Sequence, residues 1–471
     1  MITIILLIAA LYSLFALLKI RLELWILSTM KKIFFVNIFV KRAAFLLVSA
    51  LLFVSCSKKN EEEVVVESVI EEPSPEEIAL EKARKEEERL SKAISDYTEN
   101  LSETEKLSQL FLVNLQGNTD FAPVEFEGEK AVIPGGYIFF SFNIASSASQ
   151  IINFTDSIAS YCENNALVPP YLSIDQEGGL VNRLRGITSS VPSCRTIAAN
   201  YSENEAAALY ESQAKQLSLL GFHLNLAPVA EAVDDENRDF LGTRSYGDTE
   251  TVKKYAYIAV RSYEKNGIGT VLKHFPGNTN TDPHTGLPEI EASDEKLRKM
   301  IVEPFKAIID SANPAAVLMS HARTAAHDAE KPACFSRYWV SDVLRGEMAF
   351  SGLIFSDDIF MAALEKNGYP PEKAVVMAIE AGVDCIMLSE KRFKSVLEVL
   401  RKKAQEDETF AEKLDEALNR VIRFKLREGV LLLETAEDGE SATIVNAKRK
   451  SAEERLSAFE EEKQKGDSYV K

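Results

Sequence analysis

The chain has 471 residues, a hydrophobic fraction of 46% and a formal net charge of −18. This length and apolar content suffice for one large domain with appendages or for two ordinary domains, and they exclude a chain that is disordered throughout. The acidic excess argues against nucleic-acid binding, because binding to phosphates requires clustered Lys and Arg. The cysteines are scattered without a CxxC pair, so neither a zinc site nor a disulfide framework is expected.

The amino terminus has the pattern of an export signal. Basic residues near Met30 precede a short apolar run that ends in Ser55-Cys56. A basic region, an apolar run and a small residue before the cut are typical of a secretory signal, and the following Cys resembles a bacterial lipobox. We therefore predict a leader over residues 1–56, with Met30 as an alternative start. Lipidation of Cys56 would anchor an exported protein in the bacterial cell envelope, on a periplasmic or outer-membrane face; the alternative is a plain transmembrane anchor.

Charged segments flank the centre of the chain. Residues 57–97 begin with an acid-rich stretch that cannot bury a core and continue with helical spacing, which predicts a solvated tether and an exposed helix. Residues 434–471 are polar and charged, and we predict a tail that is helical or disordered.

Residues 98–433 read as alternating strands and helices. The candidate strands are short apolar runs at 136–140, 171–174, 223–227, 270–273, 315–319, 353–355 and 385–388. The candidate helices are amphipathic stretches at 203–220, 252–266, 294–312, 371–381 and 393–404. This alternation indicates an α/β fold with a parallel sheet. Seven candidate strands over a segment of this length favour one (β/α)₈ TIM barrel over an open sheet. The eighth strand of such a barrel has no clear candidate in the sequence.

Polar residues recur directly after the candidate strands. Asp175, Lys273, His274, His321 and Asp357 all lie at or just beyond the end of an apolar run. Because active sites of these barrels lie at the carboxyl ends of the strands, these distant residues are expected to converge on one face.

Several short motifs in this segment occur in a recognisable order. They are LSETEKLSQLF (101–111), PGGYIFF (134–140), IDQEGG (174–179), NLAPV (225–229), GTRSYG (242–247), KHFPG (273–277) followed by DPH (282–284), and FSDD (355–358). Together they make residues 101–432 resemble glycoside hydrolase family 3, in particular its β-N-acetylglucosaminidase branch.

The resemblance implies a carboxylate nucleophile at the first Asp of FSDD. A retaining glycosidase needs an ionised, fixed carboxylate that attacks the anomeric carbon and forms a glycosyl intermediate. Asp357 is therefore the predicted nucleophile, and Asp358 is assigned a structural role.

The resemblance also implies that His284 is the acid/base and that Asp282 orients it. An imidazole titrates near neutral pH, so it can protonate the leaving oxygen and later deprotonate water. Only residues 278–281 separate KHFPG from Asp282, about two fewer than is usual in the family. Should His284 not reach the substrate, the alternative proton donors are Asp282, Glu177 and His321.

The remaining site residues implied by the resemblance are sugar binders. Asp175 is expected to accept hydrogen bonds from hydroxyls, and the expected donors are Arg183, Arg244, Lys273 and His274. Leu180 and Glu231 depart from the Arg and Asp usual at their positions. His321 is expected near the site or in support of it, whereas His223 and His327 are expected to be scaffold or surface residues.

The predicted function is a retaining hydrolase that removes β-linked N-acetylglucosamine from peptidoglycan-derived or chitin-type oligosaccharides. It requires no metal or organic cofactor, and its expected partners are a small oligosaccharide and the membrane through Cys56, with the protein a monomer. Two alternatives stay open: a phosphorylase that uses the same residues, and a non-catalytic sugar-binding lipoprotein.

Overall fold

The computed structural model of the chain describes residues 74–123, 131–282, 286–389, 393–436 and 441–471. The predicted leader with Cys56 and the acid-rich start of the tether lie outside these residues, and so does His284. No helix in the described ranges combines the length and the apolar character needed to cross a membrane. The description below concerns the unit Glu76–Lys471.

Parallel strands form an 8-stranded sheet that is nearly closed into a barrel. The strands are β1 Phe111–Asn114, β2 Gly136–Phe139, β3 Tyr171–Ile174, β4 Leu224–Asn225, β5 Gly269–Phe275, β6 Ala316–Met319, β7 Leu353–Phe355 and β8 Ile386–Leu388. Neighbours follow the order β7-β6-β5-β4-β3-β2-β1-β8, and a parallel bridge between Phe355 and Cys385 joins the two ends. This arrangement is consistent with the (β/α)₈ fold that the sequence predicts.

The strand that the sequence did not identify is β1. It begins three residues after the helix Glu103–Ser108, and Leu107, Leu110 and Phe111 have the spacing of one helix face. Hydrophobic periodicity cannot separate a four-residue buried strand from a helix end that runs directly into it. The seven predicted strands overlap the other seven strands of the barrel.

Helices lie between the strands and beyond them. They are α1 Pro75–Glu99, α2 Glu103–Ser108, α3 Ala148–Asn164, α4 Cys194–Asn200, α5 Glu203–Leu220, α6 Arg238–Leu241, α7 Thr249–Lys265, α8 Asp294–Leu297, α9 Glu303–Ala312, α10 Ala362–Lys366, α11 Pro371–Ala381, α12 Phe393–Glu406, α13 Glu408–Arg427 and α14 Ala452–Asp467. Two π-helical stretches are Arg298–Val302 and Tyr338–Glu347, and short 3₁₀ turns are Ser141–Asn143 and Ala333–Phe335. Small strand pairs are Gln176–Gly178 with Val181–Asn182, and Glu289–Ile290 with Arg323–Thr324.

Helix α5 shows why these bounds follow from the sequence. Ser202 and Glu205 form a reciprocal capping box at its start, which satisfies backbone N–H groups that have no partner within the helix. Gly221 ends the helix with φ 94, a left-handed conformation that glycine adopts without a steric cost.

The carboxyl-terminal segment agrees in part with the predicted helical or disordered tail. It contains an antiparallel hairpin, β9 Leu431–Thr435 with β10 Ala442–Asn446, followed by α14. Helix α14 packs against α3 and α5, and its Phe459 is 1% exposed. The helix is predominantly charged, so its one buried aromatic ring was not evident from composition. At the other end, the predicted exposed helix becomes buried at Ala93 and Ile94.

The burial of Phe459 predicts that α14 contributes to the stability of the barrel. Phe459→Ala should lower the free energy of unfolding by about 3 kcal/mol, because it removes a buried aromatic ring and leaves a cavity. Urea denaturation of the variant measures this change. Glu460→Ala is the matched control, since Glu460 is exposed on the same helix. Equal stability of both variants would show that α14 does not belong to the folded unit.

Candidate active site

A cavity of about 430 Å³ lies at the carboxyl ends of the barrel strands. Its charged or titratable lining residues are Asp175, Glu177, Arg183, Arg244, Lys273, His274, Asp357 and Asp358. Its apolar lining includes Phe140 and Phe240. The predicted convergence of residues from distant strands on one face is therefore what the structure shows.

The two Asp residues after β7 occupy different environments. Asp357 is half-buried and lines the cavity, and its Oδ1 accepts a 2.8 Å hydrogen bond from the backbone N–H of Asp358. The Oδ1 of Asp358 accepts backbone hydrogen bonds of 3.0 Å from Phe360 and Ser389, so this side chain ties the loop after β7 to the loop after β8. Burial raises the pKa of Asp358. These contacts suit a structural role for Asp358, whereas Asp357 is the more exposed carboxylate of the pair.

His321 lies behind this pair. Its side chain is fully buried, with Nε2 3.0 Å from the backbone oxygen of Asp358 and Nδ1 3.2 Å from Sγ of Cys334. Because a carbonyl oxygen can only accept, Nε2 carries the proton and donates it to that oxygen. His321 thus supports the segment that carries Asp357 and is not placed to protonate a substrate in the cavity.

A buried ammonium group organises one side of the cavity. Lys273 Nζ lies 2.7 Å from Asp175 Oδ1 and 2.7 Å from Glu177 Oε1, and its side chain is 4% exposed. Arg244 binds the same Glu177 through two hydrogen bonds of 2.8 Å. Arg183 Nη2 is 3.6 Å from Asp175 Oδ2. Buried charges are stable only when they are paired and hydrogen-bonded, and here each of them has a partner.

These pairings decide the protonation of Glu177. Burial opposes ionisation of its carboxyl, but the charges of Lys273 and Arg244 outweigh that effect and lower its pKa to about 2. Burial likewise opposes the charge of Lys273, and Asp175 and Glu177 together raise its pKa. Glu177 is therefore an ionised acceptor near neutral pH, which argues against it as an alternative proton donor. Sequence reasoning underrated Glu177, although it lies only three residues after the end of β3, in the IDQEGG motif.

The orientation of His274 is fixed by Glu231. Its Nδ1 lies 2.6 Å from Glu231 Oε1, which also accepts the backbone N–H of His274 at 3.1 Å. Glu231 is fully buried, so its departure from the family pattern lies behind the cavity wall. Because Nδ1 donates to Glu231, Nε2 is the ring nitrogen that remains for a sugar hydroxyl. It accepts a hydrogen bond from the hydroxyl when the ring is neutral and donates one, as the sequence predicts, when the ring is charged.

The loop that leads to His284 is tied to α6. Asn280 Oδ1 accepts the backbone N–H groups of Asp239 and Phe240 at 2.9 and 3.2 Å. Asp282 is exposed and is not among the residues that line the cavity, and its backbone oxygen accepts a 3.1 Å hydrogen bond from Gly286. The structure therefore brings together the nucleophile candidate and all five predicted sugar binders, but it does not place Asp282 with them.

Two large apolar side chains are exposed on the loops after β2 and β3. Phe142 is 58% exposed and stacks on Phe140 with ring centroids 5.8 Å apart, and Leu180 is 80% exposed. Phe140 itself lines the cavity.

Within the described residues, no group of His, Cys, Asp or Glu has the arrangement of a metal site.

The buried pairing of Glu177 predicts a specific pH dependence. Its pKa is 4.5 in the unfolded chain and about 2 in the fold, so its contribution is present above pH 4.5 and is lost as pH falls towards 2. Glu177→Gln should lower the free energy of unfolding by about 3 kcal/mol at pH 7, and this deficit should shrink between pH 4.5 and 2. Urea denaturation across that range tests this, with Glu250→Gln as an exposed control. A deficit independent of pH would contradict the assignment.

Comparison with known proteins identifies the family. Residues 103–424 match the model of the glycosyl hydrolase family 3 N terminal domain. Beta-hexosaminidase A of Pseudoalteromonas piscicida is 28% identical over 320 residues, which are 62% of this chain but only 53% of that protein, so this chain spans about half of that relative. A beta-hexosaminidase of Pseudomonas aeruginosa (strain LESB58) is 31% identical over 272 residues, 56% of this chain and 77% of the relative. A glycoside hydrolase family 3 beta-N-acetylglucosaminidase from Paenibacillus sp. str. FPU-7 superposes with a TM-score of 0.64 at 27% identity, covering 77% of this chain and 69% of the other. The match of the family model and the agreement of fold and sequence with these relatives confirm the predicted family: the chain belongs to glycosyl hydrolase family 3.

Proposed function

We propose that the protein is a retaining glycosidase that releases β-linked N-acetylglucosamine through a covalent intermediate on Asp357. The observation that carries the proposal is the position of Asp357 in a cavity whose opposing charges are fixed before a substrate binds. Relatives named beta-hexosaminidase and beta-N-acetylglucosaminidase support the choice of sugar.

The reaction proceeds in two balanced steps. The Asp357 carboxylate attacks the anomeric carbon as the bond to the leaving oxygen breaks, and His284 gives that oxygen its proton. Water then attacks the same carbon, His284 takes its proton, and Asp357 is released. Two inversions retain the β configuration. Asp282 holds the imidazole in the productive tautomer, as carboxylate partners of catalytic histidines do.

The buried ion network is suited to hold the sugar. Asp175 is 17% exposed, and its paired oxygens retain lone pairs that can accept from hydroxyls. Arg183 and Arg244 are 28% and 21% exposed, so each can direct an unused N–H into the cavity. Lys273 has less capacity left for a sugar than the two arginines have, since two of its three N–H groups already bind carboxylates. Lys273 therefore mainly fixes the other groups.

The substrates that we propose are oligosaccharides derived from peptidoglycan or of the chitin type. The stacked rings of Phe140 and Phe142 provide an apolar surface beside the cavity, of the kind that a pyranose ring can cover. A lipid anchor on Cys56 would hold the enzyme in the cell envelope, where such glycans occur.

A phosphorylase is the second candidate, because a histidine acid/base does not repel an incoming phosphate as a carboxylate does. The cations that line the cavity are paired with Asp175 and Glu177, and this favours water over phosphate as the acceptor. Comparing turnover and products with and without phosphate separates the two reactions. The non-catalytic alternative is disfavoured by the position of Asp357.

The lipid anchor predicts that Cys56→Ala abolishes incorporation of labelled fatty acid, because no other residue of the leader follows a lipobox. Metabolic labelling with a palmitate analogue in a bacterial host measures this. Ser57→Ala is the neighbouring control and should remain labelled. Labelling of the Cys56 variant at the wild-type level would contradict the anchor.

The division of labour between Asp357 and His284 predicts two different defects. Asp357→Ala should reduce hydrolysis of every substrate by several orders of magnitude, since no glycosyl intermediate can form. His284→Ala should slow a disaccharide far more than an aryl β-N-acetylglucosaminide, because a phenolate leaves without protonation. Steady-state rates on the two substrates measure both effects.

Azide provides the control for this experiment. It needs no general base, so it should partly restore turnover of the aryl substrate by His284→Ala and give a β-glycosyl azide. Equal slowing of both substrates without an azide product would overturn the role of His284. A wild-type protein inactive on both substrates would overturn the proposed function.

A further inference from the structure

A second cavity, which we call the lower cavity, lies at the opposite end of the barrel and has a volume of about 420 Å³. Its wall combines residues at the amino-terminal starts of β3 and β4 with the segment that connects β10 to α14. Its charged or titratable lining residues are Asp156, Glu163, His223, Lys448, Arg449 and Lys450. The catalytic proposal uses none of them.

The hydrogen bonding of His223 fixes its tautomer. Its Nδ1 accepts a 3.0 Å hydrogen bond from the backbone N–H of Leu172. A ring nitrogen that accepts carries no proton, so the single proton of the neutral imidazole is on Nε2. Burial, assisted by the charges of Arg449 and Lys425, holds the pKa of His223 well below its ordinary value. His223 therefore presents an N–H donor to the cavity.

Arg449 presents a second donor to the same point. Its Nη2 lies 3.4 Å from His223 Nε2, and a guanidinium nitrogen can only donate. Its Nη1 is already engaged by the backbone oxygen of Thr155 at 3.2 Å and by Asp156 at 3.6 Å. Among the described residues, the 3.4 Å contact between these two nitrogens is the one hydrogen-bond contact of either atom, and with the proton on Nε2 it gives neither of them an acceptor. Two converging donors without an acceptor are satisfied when one oxygen atom bonds to both.

The surrounding charge favours an anion as that acceptor. Lys448 and Lys450 are exposed on either side of Arg449, whose side chain is 24% exposed and thus reachable from solvent. Asp156 is shared between Arg449 and Arg455 and does not neutralise both. The carboxylates of the cavity wall are Asp156 and Glu163, so the three cations at 448–450 exceed them by one. In a chain with a net charge of −18, this is a local excess of positive charge.

We infer that this lower cavity binds a small molecule through a phosphate or carboxylate group, one oxygen of which accepts hydrogen bonds from both His223 and Arg449. Charge-assisted hydrogen bonds of this kind are stronger than those between neutral groups. A phosphate offers more acceptor oxygens to Lys448 and Lys450 than a carboxylate does, so we expect it to bind more tightly.

Isothermal titration calorimetry of the full chain tests the inference, with inorganic phosphate in one arm and acetate in the other. Wild-type protein should bind phosphate, and Arg449→Gln should weaken that binding by about tenfold or more. Arg183→Gln removes a cation of the catalytic cavity and should leave the binding unchanged. Lys402→Gln, on a side chain that is 77% exposed, is the control for lost charge.

The outcomes separate this site from the catalytic one. Absence of binding of either anion to the wild type overturns the inference and assigns the two donors to water. Binding that persists in Arg449→Gln, or that disappears in Arg183→Gln, overturns it as well, and the second result moves the anion to the catalytic cavity. Should Arg449→Gln fail to fold, the double variant Lys448→Gln/Lys450→Gln should bind phosphate several-fold more weakly, and unchanged binding would overturn the inference.

Discussion

The ammonium group of Lys273 is the interaction on which the catalytic cavity depends. It joins the carboxyl end of β5 to the loop after β3 through Asp175 and Glu177, across the intervening strand β4. Removing such a charge from water is costly, and contacts of 2.7 Å to two carboxylates offset that cost. The attraction between the ammonium group and the carboxylates is strong in this buried environment and weakens with distance. A small displacement of any of the three groups therefore costs free energy. The charged side chains that line this part of the cavity therefore hold one another in place.

In the proposed mechanism, the segment that carries the nucleophile Asp357 and the segment that leads to the acid/base His284 are held by different contacts. Asp357 directly follows a strand, and its neighbour Asp358 is anchored to the loops after β7 and β8. The loop that leads to His284 instead depends on amide side chains, since Asn280 binds backbone groups at the start of α6. Attack on an anomeric carbon tolerates little displacement, whereas proton transfer requires a group that can serve leaving groups of different size. The fixed carboxylate of Asp357 suits the first demand, and the described start of the segment before His284 is tied to α6 by Asn280.

The sequence predicted the parts of the fold and site that depend on local patterns. Seven strands were found because each is a short apolar run. Asp175, Lys273, His274 and Asp357 were found because they lie at the ends of such runs, whereas Arg183 and Arg244 were implied only by the family resemblance. Strand β1 was missed because Leu107, Leu110 and Phe111 have helical spacing, and the packing of α14 was missed because Phe459 is a single aromatic residue among charges. The pairing of Glu177 with Lys273 and of Glu231 with His274 could not be predicted, since the partners are distant in sequence and meet only in the folded barrel.

Two histidines at opposite ends of the barrel show how such distant partners determine chemistry. His274 donates the Nδ1 proton to Glu231, so the neutral form of the ring turns a lone pair towards the catalytic cavity. His223 receives the backbone N–H of Leu172 on Nδ1 and so turns an N–H towards the lower cavity. The imidazole is the same in both cases, and the contact made by the hidden nitrogen decides whether the exposed one accepts or donates. The neutral form of His274 would therefore suit hydroxyl groups, and His223 beside Arg449 would suit an oxyanion. Residue type alone could not distinguish these two histidines, because the partner of Nδ1 decides the role of Nε2. That partner is the buried side chain of Glu231 for His274 and the backbone N–H of Leu172 for His223.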